Sequence, residues 1–136
     1  MLNIRLANKD DADTIWSIIQ PVIRAGDTYA LERDMTKEEA LSYWMSVDKW
    51  TYVAEENGEI LGTYYLRINQ AGGGSHVCNC GYITSENARG RGIARQMCEH
   101  SLIKAPELGF KAMQYNFYYQ RMKALFVYGS GLASTL

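Results

Sequence analysis

The chain has 136 residues, 47% of them hydrophobic and 21% charged, with a net charge of −1. This length suits one domain with one core, and the near-neutral charge excludes a general attraction to nucleic acid or an anionic membrane. A site for an anionic ligand must therefore be local. Three cysteines and no signal-peptide pattern predict reduced thiols and a cytoplasmic location.

The first half of the chain predicts one strand and two helices. The alternation up to about Ala7 indicates a strand, and an apolar stripe at helical spacing follows it. The stripe consists of Ile15, Ile18, Ile19, Val22 and Ile23. We expect Pro21 to kink or end this first helix. Thr36, with Glu39 three residues later, forms a capping-box pattern that predicts a second helix over about residues 37–47.

The second half predicts a hairpin, a third strand, a helix and a fourth strand. Two strand-like runs flank Asn57-Gly58, which is a strong hairpin signal. A strand over about residues 76–84 precedes a helix from near Gly92 to about Glu107, which Gly109 ends. Its predicted buried stripe is Ile93, Met97 and Leu102, with Ala94 and Cys98 beside them. With a last strand at 111–117, the order predicts an α+β (mixed α/β) fold with a largely antiparallel sheet.

The stretch NARGRGIARQ, residues 87–96, lies between the strand at 76–84 and the following helix. Backbone N–H groups and the helix dipole can bind a pyrophosphate at such a place. Gly90 and Gly92 would let the backbone approach it, and Arg89 and Arg91 would add charge. The alternative is a glycine-rich turn with solvated arginines. The glycine spacing fits neither a P-loop nor a dinucleotide-binding fingerprint.

These residues resemble the acetyl-CoA signature of the GNAT-type N-acetyltransferases, [R/Q]-x-x-G-x-[G/A], which Arg89, Gly92 and Ala94 fit. The opening IRLANKDDADTIWSII, the hairpin VAEENGEILGTYYL and the strand CGYIT are also similar to that family. The resemblance implies acetyl transfer from acetyl-CoA to the amine of a small molecule. The charge balance predicts no nucleic-acid or membrane partner, and the lack of a second Cys/His cluster predicts no metal. The resemblance places the family domain at residues 1–117.

The resemblance also implies the residues that bind the cosubstrate, whereas the catalytic base is left unassigned. The loop amides would bind the pyrophosphate of CoA, and the end of the preceding strand would pair its backbone with the pantetheine arm. The implied cofactor-binding residues are Tyr82, Ile83, Thr84, Arg89, Gly90, Arg91, Gly92, Ile93 and Ala94. A backbone N–H near Ile83 would polarise the thioester carbonyl in a slot where the strands at 76–84 and 111–117 splay apart.

Residues 118–136 do not resemble the family, whose members continue with a helix and further strands. The codons of Tyr118 to Thr135, regrouped by one base, permit the reading L-S-T-N-E-G-A-I-R-L-W-x-x-L-G-F-D, which is the motif expected there. We therefore interpret the chain as frameshifted and truncated after about Phe117. The hypothesis predicts weak or no catalysis, and the alternative function is a CoA-binding module or pseudoenzyme.

The same hypothesis predicts a fold that lacks the C-terminal helix and the last strands. The strand at 111–117 would then have an open edge. Either the tail covers this edge as an amphipathic turn or helix, or a homodimer shares it. The apolar tail residues are Met122, Leu125, Phe126 and Tyr128.

Several chemically reactive residues are interpreted as structural. His76, Cys78 and Cys80 alternate along one strand, but no second cluster supplies further metal ligands, so half-buried strand residues are the preferred reading. Cys98 is expected to pack in its helix, and His100 to lie on the helix surface.

Other polar and aromatic residues have weaker functional readings. Glu55, Glu56 and Glu59 surround the hairpin turn, where a carboxylate is usually solvated, although one could be the family's general base. By the resemblance, Tyr29 and Glu32 lie where the acceptor amine enters. The tryptophans at 16, 44 and 50 are interpreted as core or groove wall and not as a nucleic-acid stacking surface.

Overall fold

A computed structural model describes residues 2–26, 31–68, 77–88, 90–117, 122–127 and 133–135, with the backbone alone for Val77 and from residue 112 onward. Tyr29, His76, Arg89 and Tyr128 lie outside the described residues.

The helices are α1 (Ala12–Arg24), α2 (Lys37–Trp44) and α3 (Ile93–Glu107). The strands are β1 (Asn3–Leu6), β2 (Lys49–Glu56), β3 (Glu59–Ile68), β4 (Val77–Thr84), β5 (Ala112–Phe117), β6 (Met122–Val127) and β7 (Ala133–Thr135).

The described strands form one sheet in chain order, from β1 at one edge to β7 at the other. All neighbouring strands are antiparallel except β4 and β5, which are parallel. Helix α3 provides the crossover that a parallel pair requires. The predicted α+β class with a largely antiparallel sheet is confirmed, and so is the predicted order of elements up to β5.

The hairpin of β2 and β3 turns at Asn57 and Gly58, which both have left-handed backbone conformations (φ 53° and 81°). This is the backbone that a two-residue type I′ turn needs, and it explains the choice of Asn-Gly. The register shifts by one residue between Ala54 and Glu55, because Ala54 pairs with Gly62 whereas Glu55 pairs with Ile60. The extra residue, Leu61, forms a β-bulge.

Helices α1 and α2 cover one face of the sheet and α3 covers the other, so the sheet separates two apolar clusters. The α1 stripe is buried as predicted, and the helix continues three residues beyond Pro21 before it ends at Arg24. The predicted capping box of α2 is present: Glu39 N donates to Thr36 Oγ1 at 3.1 Å, and Thr36 N donates to Glu39 Oε1 at 2.9 Å. None of the helices in the described ranges is long and apolar enough to cross a bilayer.

The buried stripe of α3 differs from the predicted one. Ile93, Met97, Ser101 and Ala105 are buried, whereas Leu102 is only half-buried. Ser101 is tolerated inside because its hydroxyl lies 2.6 Å from Tyr82 Oη and donates to the carbonyl of Cys98. A hydrogen-bonded hydroxyl can be buried at little cost.

The tail forms strands, and the prediction of an amphipathic turn or helix over the β5 edge was wrong. Strand β6 pairs with β5 from Ala112↔Val127 to Phe117↔Met122, and β7 pairs with β6. Pairing satisfies the N–H and C=O groups that β5 would otherwise present at an edge. Because β6 covers the edge of β5, the reason given for a homodimer through that edge no longer applies. Four residues of sequence, 118–121, separate β5 from β6.

Candidate functional site

The loop from β4 to α3 is a succession of tight turns. Ser85 N donates to Leu61 O at 2.8 Å, Ala88 N donates to Ser85 O at 2.9 Å, and Arg91 N donates to Ala88 O at 3.3 Å. Gly90 and Gly92 both have left-handed φ values, 82° and 76°. Since L side chains rarely adopt such angles, these turns require glycine.

The loop ends at the N-terminus of α3, where Gly92 is the N-cap. A glycine N-cap has no side-chain oxygen to accept hydrogen bonds from the first-turn N–H groups, which are therefore available to a ligand. A small cavity of about 80 Å³ opens here, and its lining includes Thr84, Gly90, Gly92 and Ala94. The structure thus brings the end of β4 and the predicted glycine loop together around one space. Arg89, which the signature places here, lies outside the described residues.

Arg91 is bound to the turn of the β2–β3 hairpin. Its Nη2 donates to Glu56 Oε1 at 2.8 Å, across 35 positions of sequence. The Arg91 side chain remains about half exposed, at 49%, so other guanidinium donors are accessible to an anionic ligand. Glu56 is therefore not an isolated, solvated turn carboxylate.

The predicted slot between β4 and β5 is not seen over the length of β5. The two strands pair from Val77↔Ala112 to Tyr82↔Phe117, so the splay that the resemblance implied was wrong in this range. Parallel pairing uses the backbone groups of β5 that face β4, and those on its other side pair with β6. Only Ile83 and Thr84 of β4 extend beyond the paired segment.

The three candidate residues of β4 lie on alternate faces of the sheet. Tyr82 is buried in the cluster under α3, and its hydroxyl is 2.6 Å from Ser101 Oγ. Ile83 is buried in the cluster under α1 and α2. A peptide-like ligand pairs with backbone groups. The alternation of side chains between the two faces therefore does not affect pairing of such a ligand with the end of β4.

The other turn carboxylates differ in their surroundings. Glu55 accepts hydrogen bonds from Arg5 at 3.4 and 3.5 Å. Arg5 also donates to both oxygens of Asp11 at 2.9 and 3.0 Å, and this hydrogen bonding lowers the pKa of Asp11. Glu59 and Glu32 are exposed. Glu55 is therefore hydrogen-bonded to an arginine of β1, as Glu56 is to Arg91.

The predicted positions of the cysteines and of His100 need correction. Cys78 and Cys80 are fully buried and not half-buried, and burial raises the pKa of the Cys80 thiol. Within the described ranges, no group of three metal-ligating side chains comes together. His100 is half-buried instead of lying on the helix surface, with its Nδ1 2.7 Å from Tyr64 Oη.

His100 belongs to an aromatic cluster that the sequence analysis missed. Tyr52, Tyr64 and Tyr82 are cross-strand partners on β2, β3 and β4. Their rings stack at centroid distances of 4.8 and 5.3 Å, and His100 lies edge-on to Tyr52 at 5.2 Å. The tyrosines are visible in the sequence, but their alignment depends on the bulge at Leu61, which moves the pairing by one residue.

The three tryptophans have the structural roles expected of them. Trp44 is fully buried and donates from Nε1 to Thr63 Oγ1 at 3.0 Å. Trp16 and Trp50 are half-buried against the two core clusters.

The glycine loop, its position before α3 and the order of the strands can now be compared with known proteins. A family model described as the acetyltransferase (GNAT) family matches residues 15–130. The chain belongs to the GNAT acetyltransferase family. The chain is similar to a GCN5-related N-acetyltransferase from Kribbella flavida, with 31% identity and a TM-score of 0.78. The similarity covers 90% of this chain and 73% of that one.

Two further relatives extend the comparison. A GNAT family acetyltransferase from Brucella melitensis, solved in complex with acetyl-CoA, shares the fold at a TM-score of 0.71 and 19% identity. The match covers 99% of this chain and 94% of that chain. N-acetyltransferase aca1 of Schizosaccharomyces pombe is 29% identical in an alignment 126 residues long that covers 80% of this chain. The chain spans 60% of the length of that relative.

Proposed function

We propose that this protein transfers an acetyl group from acetyl-CoA to the amine of a small molecule. The observation that carries the proposal is the pair of left-handed glycines, Gly90 and Gly92, at the N-terminus of α3 beside the end of β4. The proposed cosubstrate-binding residues are Tyr82–Thr84 and Arg89–Ala94. The free thiols of Cys78, Cys80 and Cys98 support a cytoplasmic location.

The residues of this chain have distinct proposed roles. The N–H groups that begin α3 bind the pyrophosphate, and Arg91, held by Glu56, adds a charge-assisted contact. The backbone of Ile83 and Thr84, which lie beyond the segment paired with β5, pairs with the pantetheine arm, and an N–H near Ile83 polarises the thioester carbonyl. Acetyl-CoA supplies the activated acyl group. The amine nitrogen then attacks the carbonyl carbon, the C–S bond breaks, and the thiolate takes up a proton.

A second candidate function is CoA binding without catalysis. It is favoured by the short connection from β5 to β6, since β6 follows where the family continues with a helix. We propose that residues 118–136 are read out of frame and that catalysis is weak for this reason. Sequencing the coding DNA tests this: a shifted frame that does not encode the expected S-T-N-E motif would overturn the frameshift.

Calorimetry with acetyl-CoA, combined with a thiol-release assay on a panel of amines, tests the function. Binding with turnover supports the transferase, and binding without turnover supports the second candidate. We expect Arg89→Ala combined with Gly92→Asp to weaken acetyl-CoA binding at least about tenfold, about 1.4 kcal/mol, because the aspartate places a negative charge at the phosphate.

The matched control is Gly109→Asp. It introduces the same side chain at a left-handed glycine (φ 96°) at the other end of α3. It should leave acetyl-CoA affinity unchanged. Unchanged affinity in the double variant, or no affinity in the wild type, would reject the CoA site.

A further inference from the structure

Two buried hydroxyl groups join α3 to β4. Tyr82 Oη lies 2.6 Å from Ser101 Oγ, and Ser101 donates its own proton to the carbonyl of Cys98 at 2.6 Å. Because serine has a single hydroxyl proton, Tyr82 is the donor between the two hydroxyls. Both side chains are buried, so water cannot replace this bond. The nearby bond between Tyr64 and His100 involves a half-buried imidazole, where water can take the place of a partner.

Ser101 occupies a position of α3 that helical spacing assigns to the core. The other buried residues of the helix, Ile93, Met97 and Ala105, are apolar. Apolar contact is non-directional, so it tolerates sliding of one surface over another, whereas a hydrogen bond holds only over a narrow range of distances. The serine therefore adds what its apolar neighbours lack, a fixed position of α3 along β4.

Helix α3 also lies very close to the sheet at its first turns. A Cβ atom at Gly62 of β3 would come within 2.9 Å of Met97 Cε and 3.1 Å of Ile93 Cγ2. Gly62 pairs with Thr84, at the end of β4. The start of α3 therefore rests directly on the strands beside that end. This contact sets the height of the helix above the sheet, and the hydroxyl pair sets its position along the strand.

The position of α3 matters because the proposed cosubstrate site is divided between two elements. The first N–H groups of α3 are assigned to the pyrophosphate, and the backbone of Ile83 and Thr84 to the pantetheine arm. Tyr82 directly precedes Ile83 and is the last residue of β4 whose pairing with β5 the structure describes. Ser101 lies about 12 Å along the helix from Ile93, at 1.5 Å per residue. A shift of α3 at Ser101 would therefore move the phosphate-binding end relative to the thioester.

We propose that Ser101 is a positioning residue for acetyl-CoA. By accepting the hydrogen bond of Tyr82, it fixes α3 lengthwise and keeps the two halves of the site at the spacing of one acetyl-CoA molecule. A ligand that spans two elements binds best when their spacing is already correct, whereas a ligand that occupies one half does not depend on that spacing. This inference rests on the proposed function.

Two ligands test the proposal without turnover. Acetyl-CoA occupies both halves of the proposed site, whereas its nucleotide part, adenosine 3′-phosphate 5′-diphosphate, reaches only the α3 end. We expect Ser101→Ala to weaken acetyl-CoA binding in calorimetry by about fivefold, the equivalent of one buried hydrogen bond. Its affinity for the diphosphate should be unchanged. Equal losses for both ligands would mean that the variant damages the phosphate loop itself. Either that result or an unchanged acetyl-CoA affinity overturns the proposal.

A double-variant cycle tests whether the two hydroxyls act as a unit. Tyr82→Phe removes the partner hydroxyl and leaves the backbone of β4 as it is, so it should cause the same loss of acetyl-CoA affinity as Ser101→Ala. The combined variant should lose no more than either single variant, because both remove the same bond. Additive losses would show that the hydroxyls act separately, and they would overturn the proposal.

The matched control is Thr51→Val. Thr51 is buried and donates to the carbonyl of Trp44, at the end of α2, at 2.7 Å, so this variant also removes a buried hydroxyl bonded to a helix carbonyl. It should lower stability in urea as Ser101→Ala does and change neither affinity. If it weakens acetyl-CoA binding equally, general destabilisation explains the loss and the positioning role is rejected. Absence of acetyl-CoA binding in the wild type instead rejects the proposed function.

Discussion

At the scale of single residues, Gly92 and Gly58 form a natural comparison. Both have left-handed backbones (φ 76° and 81°), and an added Cβ would meet no atom within 4 Å at either position. Alanine at each should therefore cost a similar conformational energy, about 1 kcal/mol. Only Gly92 borders the proposed phosphate site. We predict that Gly92→Ala weakens acetyl-CoA binding and that Gly58→Ala does not.

The measurements are urea unfolding for stability and calorimetry for acetyl-CoA affinity. Equal losses of stability with unequal losses of affinity are the expected pattern. If Gly92→Ala retains wild-type affinity, the phosphate does not approach this glycine.

His100 predicts a pH dependence of stability. Burial, and secondarily Lys104, lower its pKa, so the fold favours the neutral imidazole that is hydrogen-bonded to Tyr64. A group whose pKa is lower in the folded state contributes stability above its unfolded pKa, about 6.5. That contribution is lost as pH falls through the folded pKa. We expect chemical denaturation to show a loss of wild-type stability from about pH 7 downward.

The matched variant is His100→Gln, which keeps an acceptor for the Tyr64 hydroxyl but does not titrate. It should lose less stability than the wild type over the same pH range. The difference between the two pH profiles separates the contribution of His100 from that of His76. Parallel pH profiles would show that His100 does not contribute.

The tight turn before α3 was predicted from its glycines, because their backbone conformation is unusual. Gly92 was recognisable because few residues adopt its φ value. His100 and Ser101 were not, because their burial depends on hydroxyl partners, Tyr64 and Tyr82, that come from distant strands. A polar side chain on a helix is expected to be exposed until its partner is known.

At the scale of elements, α2 depends on its cap. It has only eight residues, and its capping box supplies reciprocal hydrogen bonds between Thr36 and Glu39. We predict that Thr36→Ala lowers the free energy of unfolding by about 1 kcal/mol. The control Thr14→Ala removes an exposed threonine within α1 and should leave stability unchanged or slightly raised. Thermal or urea unfolding measures both, and equal effects would argue against a role for the cap.

The register of the β2–β3 hairpin could not be predicted from the sequence, although its turn could. The hairpin was predicted from Asn57-Gly58, and a regular ladder continued from that turn would place Tyr52 opposite Thr63. The bulge moves the register so that Tyr52 faces Tyr64 and Val53 faces Thr63. A one-residue shift exchanges the faces of all later side chains. The aromatic cluster and the alignment of Lys49 with Arg67 therefore could not be read from spacing alone.

At the scale of the whole molecule, β6 and β7 extend the sheet beyond β5. We predict that a chain ending at Phe117 exposes the β5 edge, loses stability and self-associates, because unpaired strand groups seek partners. Size-exclusion chromatography at several concentrations, with thermal unfolding, measures this. A chain lacking only residues 133–136 should be affected less, since β6 remains to cover β5. A monomeric, equally stable 1–117 chain would show that β6 contributes little.

The fold of the molecule was more predictable than its site. Alternating and helical apolar patterns, caps and turn residues act locally, and together they specify the order of elements up to β5. The tail was not predictable in this way, since its strands form by pairing with an edge that the rest of the fold creates. Tertiary pairing overrides weak local preference in such segments.

Because two thiols are completely buried, the rate at which they are alkylated reports how often the sheet opens. Cys78 and Cys80 are inaccessible on β4, whereas Cys98 is half-buried on α3. An alkylating reagent should therefore modify one cysteine rapidly, and the other two only as fast as β4 separates from its cover. The mass added over time then measures how often the sheet opens, and a ligand seated at β4 and α3 should slow the second and third additions while sparing the first.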